Sequence, residues 1–346
     1  MPRIAINGYG RIGRCVLRAL HERGWQQWLQ VVAIDEPAAD LPSMAYLTRF
    51  DSTHGRFPAE VGVEDGALLV GGRAIPVFHA RDACEVDWGA LGLDLLLECS
   101  GSFQQRAQAD RYLAAGAPRV LVSHPLASAA DVDATIVYGV NHERLDGSER
   151  VVSAASCTTN AIVPVLRVLH AAFGIRHGHI TTLHSVMNDQ PLLDGYHQAD
   201  LRRTRSAMQS IVPVSTGLAR GIDRLMPELH GRIETKAVRV PTLNVSALDT
   251  TLQLARDSSV AEVNAALRAA AGAGPLAGLL GYTELPHAST DFNHDARSGV
   301  VDGSLTRLSG ARLVNLLIWF DNEWGFANRM LDVAAHWLGR VNTRSP

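Results

Sequence analysis

The chain is poor in cysteine: Cys15, Cys84, Cys99 and Cys157 are scattered over 346 residues, and no two form a C-x-x-C pair. That scatter argues against a disulfide framework and for a reducing compartment, the cytoplasm. Long apolar runs are missing too. Nothing approaches the roughly 20 residues of a membrane-spanning helix, and no signal-like segment precedes the strand-like start at Arg3. An excess of one charge is also absent. The formal net charge of −3 argues against a nucleic-acid or membrane-surface binder, without excluding a local basic pocket. Internal repeats, low-complexity segments and an obvious linker are not found. His177 and His179 flank a glycine, but no third ligand follows at metal-site spacing, so no metal is expected.

What is present is an ordinary globular composition, 47% hydrophobic and 19% charged, long enough for two domains. Residues 1–156, completed by a C-terminal helix over 323–340, are expected to form one domain, and residues 157–322 a catalytic one. Arg3 to Asn7 reads as a buried strand, and Gly8-Tyr9-Gly10-Arg11-Ile12-Gly13 follows it directly. A helix comes next, with Ile12, Val16, Leu17 and Leu20 on one face and Gly24 as its stop. Val31 to Ile34 then forms a second strand ending in Asp35-Glu36.

This is the dinucleotide fingerprint in its proper context. Gly8 allows the tight turn, Gly10 the approach of a pyrophosphate, and Gly13 close helix–strand packing. A carboxylate at Asp35 or Glu36 suits ribose hydroxyls and would repel a 2′-phosphate, which favours NAD over NADP. Further short apolar strands (93–98 and 119–123) alternate with a helix over 104–115. The expected fold is α/β: an N-terminal Rossmann-type doubly wound parallel sheet. Ser100 and Ser123 end such strands and are expected to line the cofactor cleft.

From residue 150 the strands lengthen and crossovers thin out, which points to an α+β catalytic domain with a mostly antiparallel sheet. In Ser153 to Asn160 a lone Cys157 stands at the start of an apolar helical run. Free N–H groups and the helix dipole there favour thiolate, the nucleophilic form. His184, at the end of a strand-like segment, is placed to act as its base. Residues 185–210 are irregular and carry Asp189, Asp194, Asp200, Arg202, Arg203 and Arg205. The preferred reading of this loop is subunit contact together with attraction of a substrate phosphate.

Taken together, the glycine turn, Ser156-Cys157-Thr158-Thr159-Asn160 and Asp321-Asn322-Glu323-Trp324-Gly325 resemble the glyceraldehyde-3-phosphate dehydrogenase family over nearly the whole chain. Ser123-His124-Pro125, His184 to Met187, Tyr282 to Pro286 and Trp324 to Met330 are most similar to its erythrose-4-phosphate dehydrogenase branch. Glyceraldehyde-3-phosphate enzymes usually have Thr where this chain has Met187, and Tyr where it has Phe326. Val214-Ser215-Thr216-Gly217 instead keeps their phosphate-binding pattern.

The resemblance implies an NAD-dependent homotetramer that oxidises a sugar-phosphate aldehyde through a Cys157 thioester. In the erythrose branch this step serves pyridoxal 5′-phosphate synthesis. It also implies that Arg239 holds the substrate phosphate, that Ser156, Thr158, Thr216 and Gly217 form a second anion site, that Asn322 orients the nicotinamide, and that Arg81, Ser100 and Ser123 line the cofactor cleft. The alternatives are a phosphorylating glyceraldehyde-3-phosphate dehydrogenase and, in a different class, an NAD-binding thiol redox sensor.

Overall fold

The computed structural model describes every residue except Ala199, Ser345 and Pro346. The chain divides into two compact units: residues 1–156 with the segment from Ala327 onward, and Cys157–Phe326.

The first unit is built on β1 (Arg3–Asn7), α1 (Arg11–Glu22), β2 (Gln30–Asp35), α2 (Leu41–Arg49), and the short pair β3 (Phe50–Asp51) and β4 (Gly55–Arg56). There follow β5 (Val61–Glu64), β6 (Ala67–Val70), β7 (Arg73–Phe78), β8 (Leu95–Glu98), α3 (Arg106–Ala114), β9 (Val120–Val122), β10 (Ala134–Thr135) and β11 (Val151–Ser153). Their sheet runs β10-β11-β9-β8-β1-β2-β7-β6-β5. It is parallel from β10 to β7, as the buried apolar strands require. The chain leaves β1 toward β2 on one side and returns to β8 on the other, so the order reverses at the β1/β8 pair. Gly24 takes a left-handed φ of 69° just after α1, the expected helix stop.

One part departs from an all-parallel sheet. β5, β6 and β7 form an antiparallel ribbon. Its two turns are Asp65-Gly66 (φ 45° and 79°) and Gly71-Gly72 (φ 55° and 78°). Both pairs have positive φ, the primed turns that match strand twist.

The second unit comprises α4 (Cys157–Phe173), β12 (Ile175–His184), β13 (Val212–Val214), α5 (Leu218–Leu225), β14 (Ile233–Arg239), β15 (Ser246–Leu254), α6 (Val260–Gly272), β16 (Leu280–Thr283), β17 (Gly299–Ser309) and β18 (Leu313–Phe320). Its sheet runs β13-β14-β12-β15-β18-β17-β16 and is mostly antiparallel, with β12/β14 and β16/β17 parallel. Ser259 and Glu262 cap α6 reciprocally, as a capping box does.

Helix α7 (Trp324–Arg344) starts in this unit and continues into the first. There Met330, Val333, Ala334 and Trp337 form a buried stripe. Full burial of such a side chain contributes about 1.5–3 kcal/mol. Within the first unit Arg23, the residue that follows α1, pairs with Asp332 of α7 at 2.7 Å.

Candidate active site and cofactor site

In the second unit the sequence-expected nucleophile and base meet. Cys157 is the first residue of α4, and its Sγ lies 3.9 Å from His184 Nε2. His184 ends β12, so a strand terminus rather than a mobile loop fixes its ring. Its Nδ1 lies 2.8 Å from the Ser185 carbonyl and donates to it. Nε2 is therefore the unprotonated nitrogen, and it faces the thiol. Ala155, two residues before Cys157, is buried yet holds a φ of 60°. A non-glycine residue in this region costs about 1–3 kcal/mol, so the sharp turn into α4 is held against local preference.

The electrostatics differ from the expectation of a standing thiolate. Burial pushes the Cys157 thiol up to about 11, outweighing the Thr158 and Cys157 N–H groups that pull it down; Asp321 and Glu323 add to the rise. Burial also lowers His184, with the Arg239 charge acting in the same direction. The helix end alone is thus too weak to ionise this thiol, and the resting pair is thiol and neutral imidazole. Burial also raises Cys84 and Cys99. Cys157 has the unprotonated Nε2 of His184 facing its sulfur.

β14 runs parallel to β12 in a register that sets Arg239 beside His184. Arg239 is only 5% exposed. It grips Asp189 with both terminal nitrogens, at 2.6 and 3.1 Å, and its Nη2 lies 3.4 Å from Met187 Sδ. The same carboxylate receives Arg203 at 3.0 Å. Asp189 therefore gathers the two arginines of this loop and strand, and together they hold its carboxyl below the usual range despite burial. Two guanidiniums sharing one carboxylate keep a surplus positive charge, which suits a phosphate.

Ser156 and Thr158 flank the nucleophile. Thr216 Oγ1 accepts from Leu218 N, the first residue of α5, at 3.2 Å, and Gly217 between them is the N-cap of that helix. A Cβ on Gly221 of α5 would stand 3.0 Å from Thr159 Oγ1, so the first turns of α4 and α5 pack together. Two converging helix N-termini favour an anion. Asn322 is held through Oδ1 by the hydroxyls of Ser185 (3.0 Å) and Ser246 (2.8 Å). Its amide N–H groups therefore remain available as donors.

In the first unit the glycine turn joins β1 to α1. Gly8 has φ 86° and donates to the Asp35 carbonyl at 2.8 Å. A Cβ on Gly13 would sit 2.2 Å from the Gly8 carbonyl, whereas one on Gly10 would meet no atom within 4 Å. Space at Gly10 is therefore not needed by the protein's own packing. No side chain caps the α1 N-terminus, so its N–H groups can receive a pyrophosphate. Ile12 lies in the first turn of α1, and Arg11 is tied to Asp51.

Asp35, Arg81 and Ser100 line one pocket of about 240 Å³ with Phe103, Arg111 and Tyr112. Asp35 Oδ1 accepts from Ala80 N at 3.0 Å, while Oδ2 is buried with no hydrogen-bond partner. Burial raises the Asp35 carboxyl to about 6; the Ala80 N–H opposes this and the Glu36 charge adds to it. An oxygen left so is ready for ribose hydroxyls. Of the two acidic residues, Glu36 is otherwise engaged: its carboxylate accepts from Tyr9 N (2.8 Å) and Ala38 N (3.0 Å). Ser123 follows β9 one strand away, its N–H bonded to the Glu98 carbonyl at 3.0 Å.

Asp189 and the serines holding Asn322 did not stand out in the sequence. Their signal is three-dimensional, since Ser185, Ser246 and Asn322 come from three separate segments. No helix among the described residues is long and apolar enough to cross a membrane.

Comparison with known families gives two matches. Residues 2–106 match the model described as glyceraldehyde 3-phosphate dehydrogenase, NAD binding domain. Residues 156–322 match that described as glyceraldehyde 3-phosphate dehydrogenase, C-terminal domain.

Proposed function

Because the chain belongs to the glyceraldehyde 3-phosphate dehydrogenase family, whose members are NAD-dependent oxidoreductases of aldehydes, we propose that it oxidises D-erythrose 4-phosphate to 4-phosphoerythronate. The observation carrying the choice of sugar is Met187. Its thioether lies beside Arg239, where a threonine would offer the substrate phosphate a hydrogen bond. A thioether is at most a weak acceptor and cannot donate. A phosphate held by Arg239 and Arg203 without that hydroxyl suits a sugar one carbon longer than a triose phosphate. The product would serve pyridoxal 5′-phosphate synthesis in the cytoplasm.

His184 Nε2 takes the Cys157 proton as sulfur attacks the aldehyde carbon. Imidazole receives the proton at the atom facing the thiol, so no standing thiolate is required. The Cys157 N–H supports the oxyanion that forms. NAD would supply the hydride acceptor for the hydrogen of the aldehyde carbon. The oxyanion collapses as the hydride leaves, the product is a thioester on Cys157, and the one proton taken from the thiol stays on His184 Nε2 until solvent removes it. Water releases the acid. The Ser156, Thr158, Thr216 and Gly217 groups at the α4 and α5 ends hold the outgoing carboxylate or, in a second reading, inorganic phosphate. That second reading, a phosphorylating glyceraldehyde-3-phosphate dehydrogenase, draws on the retained Thr216-Gly217. A redox-sensor role is disfavoured because Arg239, Arg203 and Asn322 would have no task in it. Turnover of the two sugars with and without inorganic phosphate separates these readings.

The cofactor site is read as Gly8, Gly10, Arg11, Ile12 and Gly13 at the pyrophosphate, Asp35 at the ribose, Arg81, Ser100 and Ser123 along the pocket, and Asn322 at the carboxamide. A pH dependence follows. Ribose donors favour the ionised carboxyl, so the bound-state pKa of Asp35 falls below the free value of about 6. NAD affinity is therefore expected to be flat above pH 7 and to weaken as pH falls through 6. Calorimetric titrations from pH 5 to 8 should show this, and Asp35→Asn should flatten the profile at lower affinity. A wild-type profile that stays flat to pH 5 would remove Asp35 from the ribose.

A homotetramer is part of the same proposal. Leu192, Leu193, Tyr196, Leu201 and Ile211 on the 185–211 loop are exposed, a concentration of apolar surface that subunit contact would cover. Sedimentation velocity is expected to give four times the 37.3 kDa chain mass; a monomer would refute the assignment.

A further inference from the structure

Glu98, the last residue of β8, is a carboxylate with no exposed surface. No basic side chain bonds to it among the described residues. Its partners include the Asn7 side-chain amide, Ser100 N–H at 2.7 Å, the Ser100 hydroxyl and the Tyr112 hydroxyl. The Asn7 amide reaches the Tyr112 hydroxyl at 3.2 Å as well. Burial and the Glu98 charge both hold that phenol protonated. A buried carboxylate met only by neutral donors is unfavourable for folding, and hydrophobic replacements of such groups are often more stable. Its retention calls for another reason, and its position supplies one.

Asn7 and Glu98 are register partners across the β1/β8 pair, where the strand order reverses and cofactors lie in such sheets. Gly8 follows Asn7 and Ser100 follows Glu98 by two. The loops touch: a Cβ on Gly8 would stand 2.5 Å from the Ser100 N and Cα. Glu98 thus bonds both loops at their closest approach. It also receives the single hydroxyl proton of Ser100. Ser102 N donates to the same Ser100 oxygen at 3.1 Å, and the two serine hydroxyls are 2.7 Å apart. With its proton directed to Glu98, the Ser100 oxygen takes the Ser102 N–H on one lone pair and keeps the second as an acceptor site that the Ser102 hydroxyl shares with any ligand in the pocket.

We infer that Glu98 is a positioning residue for NAD: it clamps the Ser100–Ser102 loop to the glycine turn and makes the Ser100 hydroxyl an acceptor toward the cofactor. This rests on the reading of Ser100 as a cofactor contact.

Glu98→Gln keeps the size but leaves one acceptor oxygen for the donors of Asn7 and Ser100, so an amide N–H set toward Ser100 reverses the hydroxyl and gives up the Ser100 N–H bond. The Kd and KM for NAD are expected to rise about tenfold, one hydrogen bond's worth, with kcat within about twofold. The melting temperature should change little, because removal of a buried charge offsets the loss of one donor's partner. ADP-ribose, which lacks nicotinamide, should weaken equally. Ser100→Ala should lose a similar factor, and adding Glu98→Gln to it should cost nothing further. An unchanged Kd in Glu98→Gln beside a weakened Ser100→Ala would overturn the role of Glu98 alone. So would fully additive losses, or weaker binding that tracks a lower melting temperature. A Ser100→Ala protein that binds NAD normally would remove the Ser100 reading and the inference with it, even if Glu98→Gln failed to fold.

Discussion

Replacing Cys157 by Ser is expected to lower kcat on the order of 10⁴-fold or more, the scale seen when a covalent nucleophile is removed, while NAD binding persists. The hydroxyl of serine is far harder to ionise than a thiol, and His184 is lowered by burial, so the pair could not generate an alkoxide. Mass spectrometry of the acid-quenched wild-type enzyme should find an acyl adduct on Cys157 and none in the variant. The companion change His184→Asn separates base from nucleophile. With the thiol at about 11, loss of Nε2 leaves no proton acceptor near neutral pH. Alkylation of Cys157 should then slow at pH 7 and recover as pH rises toward 11. Near-normal turnover by Cys157→Ser would end the covalent mechanism. Alkylation unchanged at pH 7 in His184→Asn would end the base assignment.

The second large effect belongs to Arg239. Arg239→Gln removes a buried cation and leaves Asp189 facing the position assigned to the substrate phosphate. Truncating one member of a buried charge pair costs about 2–5 kcal/mol, so kcat/KM for the phosphorylated sugar should fall roughly 10²- to 10³-fold. The phosphate is remote from the reacting carbon, and the loss should fall on phosphorylated substrate only. The informative quantity is the preference for D-erythrose 4-phosphate over D-erythrose. It should collapse in Arg239→Gln while NAD affinity and Cys157 alkylation stay near wild type. A preserved preference would move the phosphate elsewhere. Arg239→Lys is not expected to rescue fully, because the two-pronged grip on Asp189 needs the guanidinium plane.

Much of the fold could be read because its signals are local. The glycine turn, the stop at Gly24 and the capping box at Ser259 each depend on residues a few positions apart. The family resemblance carried the two-domain α/β architecture and the NAD cofactor, in keeping with the matched domains. The β5–β7 ribbon is weakly signalled in the sequence, where only Asp65-Gly66 and Gly71-Gly72 mark its turns. Its strands are short and weakly alternating, and they lie beside strands of the parallel pattern.

In the candidate site, the pairing of Cys157 with His184 rests on a helix start and a strand end, both visible as residue types. The protonation state was not visible. A helix N-terminus suggests a thiolate, but desolvation depends on everything packed around the sulfur, and here it wins. Asp189 stood in a charged loop that a sequence presents as surface, and only the folded chain shows that it holds two arginines. Asp35 and Glu36 looked interchangeable until the turn at Tyr9 and Ala38 engaged the second of them.

The most direct measurement is NADH formation at 340 nm by the purified protein, with D-erythrose 4-phosphate and D-glyceraldehyde 3-phosphate each offered with and without inorganic phosphate. The expected result is faster turnover of the erythrose sugar with no need for phosphate. Preference for the triose with strict dependence on phosphate would contradict it, and would mean that Thr216-Gly217 rather than Met187 defines the reaction.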